Sequence, residues 1–143
     1  MSYCTKQDLI DRFGERELIQ LTDRTNVPAS TIDDTVVDGH LADAHGVVNG
    51  YLAKVYKLPI APIPSVLTKI TADVARYFLH GETAEKDSPV RMAYSDAIAW
   101  LKDVATGKVG LEAEGVPAAQ SGGGQIAVEA PERVFSRNKL AGY

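Results

Sequence analysis

Cysteine is nearly absent from this 143-residue sequence, which contains only Cys4. A single cysteine cannot form a disulfide within the chain, and it cannot build a metal cluster held by several thiolates. We therefore expect a fold without covalent or thiolate cross-links, in a reducing compartment. Cys4 itself is predicted to be a small buried apolar residue.

The sequence also lacks a long apolar run and an apolar N-terminal leader. No stretch approaches the roughly 20 apolar residues of a membrane-spanning helix, and polar sequence directly follows residues 1–3. These absences predict a soluble protein that has no membrane partner and is made in the cytoplasm. The length and the 45% hydrophobic content are sufficient for one globular core, and the chain is too short to form two stable cores.

Acidic residues are absent from one end of the chain. Residues 133–143 contain three bases and no acid, whereas residues 1–132 contain 12 bases and 19 acids. The C-terminal segment therefore carries a charge of +3 and the rest a charge of −7, which together give the net −4. An acidic body repels phosphates, which argues against sequence-specific DNA binding.

Start signals predict two short helices near the N-terminus. Thr5 followed by Asp8 is an N-cap pattern, and we expect the helix after it to end near Gly14. The stretch "ERELIQLTD" predicts a second short helix, and a turn containing Pro28 follows it.

A long third helix is predicted beyond this turn, with Thr31 and Asp33 as candidate caps. Its apolar residues recur every three or four positions: Val37, Leu41, Ala44, Val48, Tyr51, Leu52 and Val55. Gly39, Gly46 and Gly50 weaken the helix, and we expect them to permit close approach of a neighbouring helix.

Two further long helices are predicted after a proline-rich elbow at 58–65. Ser65 can cap the first, and Ser88 with Pro89 starts the second. Their apolar faces comprise Leu67, Ile70, Val74, Tyr77 and Phe78 in the first, and Val90, Tyr94, Ala97, Ile98, Leu101 and Val104 in the second. The predicted fold class is all-α, a small bundle of three long and two short helices over residues 1–107.

The helical period ends at residue 107, and residues 108–143 are predicted to form an extended arm. Alternating apolar residues indicate short strands at 108–113 and 125–130, with a flexible "SGGG" loop within 114–124 and an anchor at 131–143. Because an isolated two-stranded ribbon is only marginally stable in water, we expect the arm to pack against the helices or against another subunit.

No pattern predicts an enzyme, a cofactor site or a metal site. His40 and His45 are five residues apart, about 140° around a helix, which does not suit one metal ion. The stretch "SGGGQ" lacks the Gly-Lys-Ser/Thr ending of a phosphate loop. Asp33, Asp34 and Asp38 cluster at the start of the third helix, where a capped and solvated face is the ordinary interpretation. We expect no catalytic residue.

The C-terminal segment interleaves apolar and aromatic side chains with bases. Aromatic residues and arginines dominate binding energy at interfaces, and disordered segments usually lack aromatics. A frayed terminus is the ordinary alternative. The 37 residues from Gly107 onward span at most roughly 120 Å when extended. We predict a partner interface formed by Arg133, Val134, Phe135, Arg137, Lys139, Leu140 and Tyr143.

Five stretches in order carry a family resemblance: "CTKQDLIDRFGERELIQLTD", "DAHGVVNGYLAKVYKLP", "ITADVARYFLH", "YSDAIAWLKDVATGKVGL" and "RVFSRNKLAGY". Together they resemble the small portal-adjacent virion protein of Mu-like phages and prophages, a head-to-tail adaptor also called a head-completion protein. The resemblance covers the chain from about Tyr3 to Tyr143. No single stretch is diagnostic, and the order of all five makes the resemblance specific.

The resemblance implies a structural protein of the virion neck. It implies a ring of subunits under the portal that follows the twelvefold symmetry of the portal, and packaged double-stranded DNA that passes non-specifically through the centre. The portal protein, neighbouring copies of the chain and the next neck or tail-completion protein are then the partners. The C-terminal arm is implied to insert into the portal or a neighbouring adaptor.

Two interpretations of these features remain open at the level of sequence. Under the adaptor interpretation, the acidic body would let DNA slide without sticking, with Asp33, Asp34 and Asp38 as candidate channel-facing residues. The alternative is a small helical regulator or chaperone-like module whose tail captures one soluble partner. The adaptor would be found in purified particles, whereas the regulator would be absent from them.

Overall fold

A computed structural model describes residues 2–111, and the features predicted at 112–143 lie outside that range. Over the described residues the fold is all-α, as predicted. The helices are α1 (Lys6–Phe13), α2 (Glu15–Thr22), α3 (Asp34–Leu52), α4 (Ser65–His80) and α5 (Pro89–Ala105), with a short 3-10 turn at Gly81–Thr83 between α4 and α5. Within residues 2–111, no helix has the length and apolar character needed to cross a bilayer.

The start of α1 confirms the predicted capping pattern. The backbone N–H of Thr5 donates to the Asp8 carboxylate at 2.7 Å, and the Asp8 N–H donates to the Thr5 hydroxyl at 3.3 Å. The helix ends at Gly14, whose φ of 89° is costly for residues with a Cβ. Because Gly14 also precedes the first residue of α2, one residue sets the corner between the two short helices.

Asp33 is the N-cap of α3, and its carboxylate accepts from the N–H groups of Thr35 and Val36. The Asp33 N–H in turn donates to the buried Thr22 hydroxyl at 3.0 Å, which ties the end of α2 to the start of α3. The helix ends at Leu52, so the last residue of the predicted apolar stripe, Val55, lies in the turn beyond it. Val55 still packs against the core.

The caps of the last two helices differ in how well the sequence predicted them. Ser88 caps α5 by accepting from the Arg91 N–H, with Pro89 at the first helical position, as predicted. The predicted cap of α4 is wrong by one residue, because Pro64 occupies the N-cap position and Ser65 is the first helical residue. The extended conformation that Pro64 adopts at the end of the elbow moves the start of the helix.

The glycines of α3 do not mediate helix packing within residues 2–111, contrary to expectation. A Cβ built on Gly39, Gly46 or Gly50 would meet no heavy atom within 4 Å. The cause is their position around the helix axis. At 100° per residue, the three glycines lie within about 40° of one another. The opposite face contacts the core through Val37, Leu41, Ala44, Val48 and Leu52, all buried.

Helix α4 is the centre of the molecule. It packs against α1, α2, α3 and α5, and the six consecutive residues at 70–75 are all buried. Among them, Asp73 is 9% exposed and accepts from Lys69 one turn earlier at 2.8 Å. The core around α4 draws on every helix and extends from Tyr3 to Leu111.

The chain after α5 turns back onto the body, and residues 108–111 contain no strand. The N–H groups of Lys108 and Val109 approach the Asp103 carbonyl, and the Leu111 N–H donates to the buried Tyr56 hydroxyl at 2.8 Å. These amides therefore bond to the helical body, which corrects the described part of the strand predicted at 108–113. The remainder of that strand and the strand at 125–130 lie outside the described residues.

A three-residue polar cluster joins α2 to the end of α4. Arg76 donates to both oxygens of Glu17, at 2.6 and 2.9 Å, and the His80 ring lies 3.0 Å from the same carboxylate. The Arg76 guanidinium also lies 4.4 Å from the centre of the Phe13 ring. Partial burial raises the pKa of Glu17, but the bonds from Arg76 and His80 outweigh it and bring the pKa below its ordinary value.

The N-terminal segment is held against α3 by His45. The Cys4 N–H donates to His45 Nε2 at 3.2 Å, and the Tyr3 hydroxyl donates to Asn49 at 2.6 Å. Cys4 is completely buried, as predicted. Burial, together with the nearby Asp8 carboxylate, raises the pKa of the Cys4 thiol to about 12.

We predict that Glu17→Gln destabilises the fold by roughly 1–3 kcal/mol, because it removes a charge-assisted pair and leaves Arg76 half-satisfied in a partly buried position. Urea unfolding followed by circular dichroism measures this change. Glu15→Gln is the matched control, since Glu15 is exposed in the same helix. The control should change stability by less than about 0.5 kcal/mol.

The same pair predicts a pH dependence of that difference. Because the folded-state pKa of Glu17 lies below its ordinary value of 4.5, its contribution is complete above that pH and is lost as the pH falls through the folded-state value. The stability gap between wild type and Glu17→Gln should therefore shrink between pH 7 and pH 3. A gap that is constant with pH would contradict the assigned role of the carboxylate.

We also predict that the native Cys4 thiol resists labelling. At pH 8 it should react with an aromatic disulfide reagent at least about 100-fold more slowly than in 6 M guanidinium, because it is buried and protonated. A Cys4→Ser chain carrying Ser2→Cys is the control, since Ser2 is exposed and its replacement should react quickly. Rapid labelling of Cys4 in the native chain would show that the N-terminal segment opens readily.

Candidate interaction surface

An open groove of about 680 Å³ lies between α3 and the end of α4. The α4 wall consists of Tyr77, Phe78 and Gly81. The α3 wall consists of His40, Ala42, Asp43, Gly46 and Val47. The lining is mainly apolar, with one carboxylate and one imidazole at its edge, so its chemistry suits an apolar ligand segment that also carries positive charge.

Two aromatic rings, Tyr77 and Phe78, line the groove, and the ring of Tyr94 in α5 packs against both. The rings of Tyr77 and Tyr94 are stacked, with centroids 4.0 Å apart and planes inclined by 13°, and Phe78 lies 6.1 Å from each. Burial of Tyr94, with Tyr77 nearby, raises the pKa of its hydroxyl. Because this packing fixes the rings, little side-chain conformational entropy would be lost when a partner binds against them.

Gly46 is the one glycine of α3 that lines the groove. Gly46 borders both the groove and a smaller depression that runs through Gly50, Tyr51 and Tyr94. Because the space above Gly39, Gly46 and Gly50 is open, a bound segment could approach the α3 backbone more closely than a helix with larger side chains would allow.

The position of the α4 wall is set by the polar cluster described above. Arg76 and His80 flank Tyr77 and Phe78 in sequence, and both bind Glu17 of α2. The aromatic residues are thus directed to the groove side while their neighbours are bonded to α2. The two aromatic residues of the α4 wall and the two α4 residues that hold this wall therefore all lie within residues 76–80.

The two histidines of "HLADAH" lie in different environments. His40 lines the groove, whereas His45 accepts from the Cys4 N–H at the N-terminal segment, and burial lowers its pKa. Within residues 2–111 there is no group of three or more His, Cys, Asp or Glu side chains placed to hold a metal ion.

The three candidate channel-facing carboxylates have different roles. Asp33 caps α3, and Asp34 pairs with Lys6 at 2.7 Å. Asp38 is exposed and borders a small depression beside Cys4 and Lys6. Asp33 and Asp34 therefore have structural partners, which agrees with their ordinary interpretation as part of a capped and solvated helix start. Asp38 has no salt-bridge partner among the described residues.

The predicted partner interface lies outside the described residues. Arg133, Val134, Phe135, Arg137, Lys139, Leu140 and Tyr143 remain predictions from sequence. The groove, in contrast, was missed at the level of sequence, where Tyr77, Phe78 and Tyr94 were assigned to buried faces. They are only partly buried. The available signal was the one-sided placement of Gly39, Gly46 and Gly50, which leaves three positions on one face of α3 without a side chain.

Comparisons with known proteins agree along nearly the whole chain. The sequence model of the family described as "Bacteriophage Mu, Gp36" matches residues 3–129. "Gene product J" of Escherichia phage Mu is 32% identical over 141 residues, which cover 97% of this chain and 97% of that protein. "Mu-like prophage FluMu protein gp36" of Haemophilus influenzae is 30% identical over 142 residues, covering 99% of this chain and 97% of that protein.

Proposed function

Because this chain belongs to the bacteriophage Mu Gp36 family, we propose that it is a structural protein of the virion neck, a head-to-tail adaptor. Copies of the chain form a ring under the portal and extend the DNA channel towards the tail. The C-terminal arm docks on the portal or on a neighbouring copy, and the next neck or tail-completion protein binds the other side of the ring. Assembly takes place in the cytoplasm of the host bacterium.

One observation carries this proposal: the described residues from Tyr3 to Leu111 assemble a hydrophobic core, yet the chain continues for a further 32 residues that end in aromatic and basic side chains. We infer that these 32 residues are not needed to fold that core. A segment rich in interface-type residues is then available for other molecules. Repetition around a ring multiplies a modest affinity of each arm through avidity.

The charge distribution supports passage of DNA through such a ring. The body is acidic, with −7 over residues 1–132, and exposed carboxylates such as Asp38 repel the phosphate backbone. A channel wall of that sign lets DNA slide without tight binding. Since Asp33 and Asp34 are engaged in capping and ion pairing, Asp38 is the best-placed of the three for this role.

We predict that deletion of residues 133–143 leaves helical content and cooperative melting nearly unchanged but abolishes incorporation into phage particles. The reason is that residues 2–111 already assemble a hydrophobic core that extends from Tyr3 to Leu111. Circular dichroism of the truncated chain and immunoblots of purified particles measure the two effects. Loss of the fold in the truncated chain would assign the segment to the core and contradict the proposal. Absence of the full-length chain from particles would favour the soluble regulator instead.

We further predict that Phe135→Ala and Tyr143→Ala each weaken docking of the arm by more than about 1 kcal/mol, as truncation of aromatic anchors does at interfaces. Competition between variant and wild-type chains for incorporation into particles measures the loss. Ser136→Ala and Asn138→Ala are controls within the same segment and should compete equally with wild type. Equal competition by both aromatic variants would show that these side chains are not anchors.

A further inference from the structure

The groove between α3 and α4 offers a specific site for the arm. We propose that it binds the C-terminal segment, residues 131–143, of an adjacent copy of the chain. This inference rests on the proposed function, which leaves the receiving surface of the arm undefined. It assigns the site to the surface around Tyr77, Phe78, Gly46 and Asp43.

The shape and polarity of the groove fit an extended segment with aromatic anchors. Tyr77 and Phe78 provide aromatic surface on one wall, and Tyr94 stacks on Tyr77 and supports it. Offset or edge-to-face contacts with such rings favour aromatic ligand residues such as Phe135 or Tyr143. On the other wall, the open space above Gly46 admits a peptide backbone.

The charges of the groove and of the arm are complementary. Asp43 lines the groove and Glu82 follows Gly81 at its end, and both are exposed. Neither has a salt-bridge partner among residues 2–111. The arm contributes Arg133, Arg137 and Lys139, and residues 133–143 contain no acidic residue. Pairing these charges at the rim would orient the arm and speed its capture.

The length of the arm permits binding to a second copy. Leu111 is bonded to Tyr56 in the body, which fixes the point from which the arm begins. The 21 residues at 112–132 can extend for roughly 70 Å. A body of about 110 residues has a radius of gyration of about 13 Å, so the arm can reach well past its own body.

Contact between an arm and a groove joins two different surfaces of the same chain, which makes it a heterologous interface. Such contacts produce a closed ring when the rotation between copies closes. A contact of this type therefore supplies a means of ring formation that does not depend on the portal. It also gives each copy one donor and one acceptor surface.

Disulfide trapping in assembled particles tests this assignment. Gly46→Cys places a thiol in the groove, where a Cβ meets no atom, and Ser136→Cys or Ala141→Cys places one in the arm. After mild oxidation of particles carrying the groove and arm cysteines in one chain, non-reducing gels should show a ladder of linked copies. Single-cysteine variants should show none, because Cys4 is completely buried.

Matched variants test the location of the site. Gln20→Cys, exposed on α2, replaces Gly46→Cys as a control and should give at least fivefold less ladder. Asp43→Lys should lower the ladder yield severalfold, whereas Asp96→Lys, on an exposed position of α5, should not. Equal yields from all groove and control positions would overturn the assignment.

The remaining outcomes separate this inference from the proposed function. Linkage only within a chain would show that the arm covers its own groove, and linkage only to another virion protein would show a different receiving surface. Particles that contain the chain but show no linkage with either arm position would also overturn the assignment. Each of these results leaves the adaptor function intact. Absence of the chain from particles would contradict the adaptor function itself.

Discussion

Burial of α4 on all sides is the constraint on which the rest of the structure depends. Six consecutive buried residues at 70–75 require neighbours around the whole circumference, and α1, α2, α3 and α5 supply them. A helix of this kind cannot be shifted or rotated without exposing apolar surface. Its end, where Tyr77 and Phe78 emerge beside Arg76 and His80, is therefore fixed in position.

Helix α3 complements this central helix by being strongly two-sided. One face is buried through Val37, Leu41, Ala44 and Val48, and the other carries glycine and carboxylate residues. The first face stabilises the fold, whereas the second contributes nothing to the core within residues 2–111. Helix propensity is lower at each glycine by up to about 1 kcal/mol, and this cost is met by packing of the opposite face. The open face is thus a feature that the fold itself does not require.

The local features of the fold could be predicted from the sequence, and the long-range features could not. Caps such as Asp33 and Ser88 act on amides two or three residues away, so their signals are contiguous and the helix bounds follow closely. The Arg76 contact with Glu17 joins residues 59 apart, and no period or motif marks it. The groove was missed for the same reason, because its walls come from separate helices.

The prediction for the glycines of α3 was wrong for a different reason. Small residues at helical spacing indicate that something can approach closely, but they do not identify what approaches. In helical bundles such small residues often face another helix of the same chain. Within residues 2–111, no described helix comes within 4 Å of a Cβ placed at Gly39, Gly46 or Gly50.

The bond from the Leu111 N–H to the Tyr56 hydroxyl has a mechanical consequence. Leu111 is held inside the core, beyond the end of α5, by its buried side chain and its bond to Tyr56. A force that reaches Leu111 from its C-terminal side is therefore loaded onto a buried hydrogen bond and the Leu111 side chain before it reaches α5. Helix α5 is thereby shielded from being peeled away turn by turn from its C-terminal end.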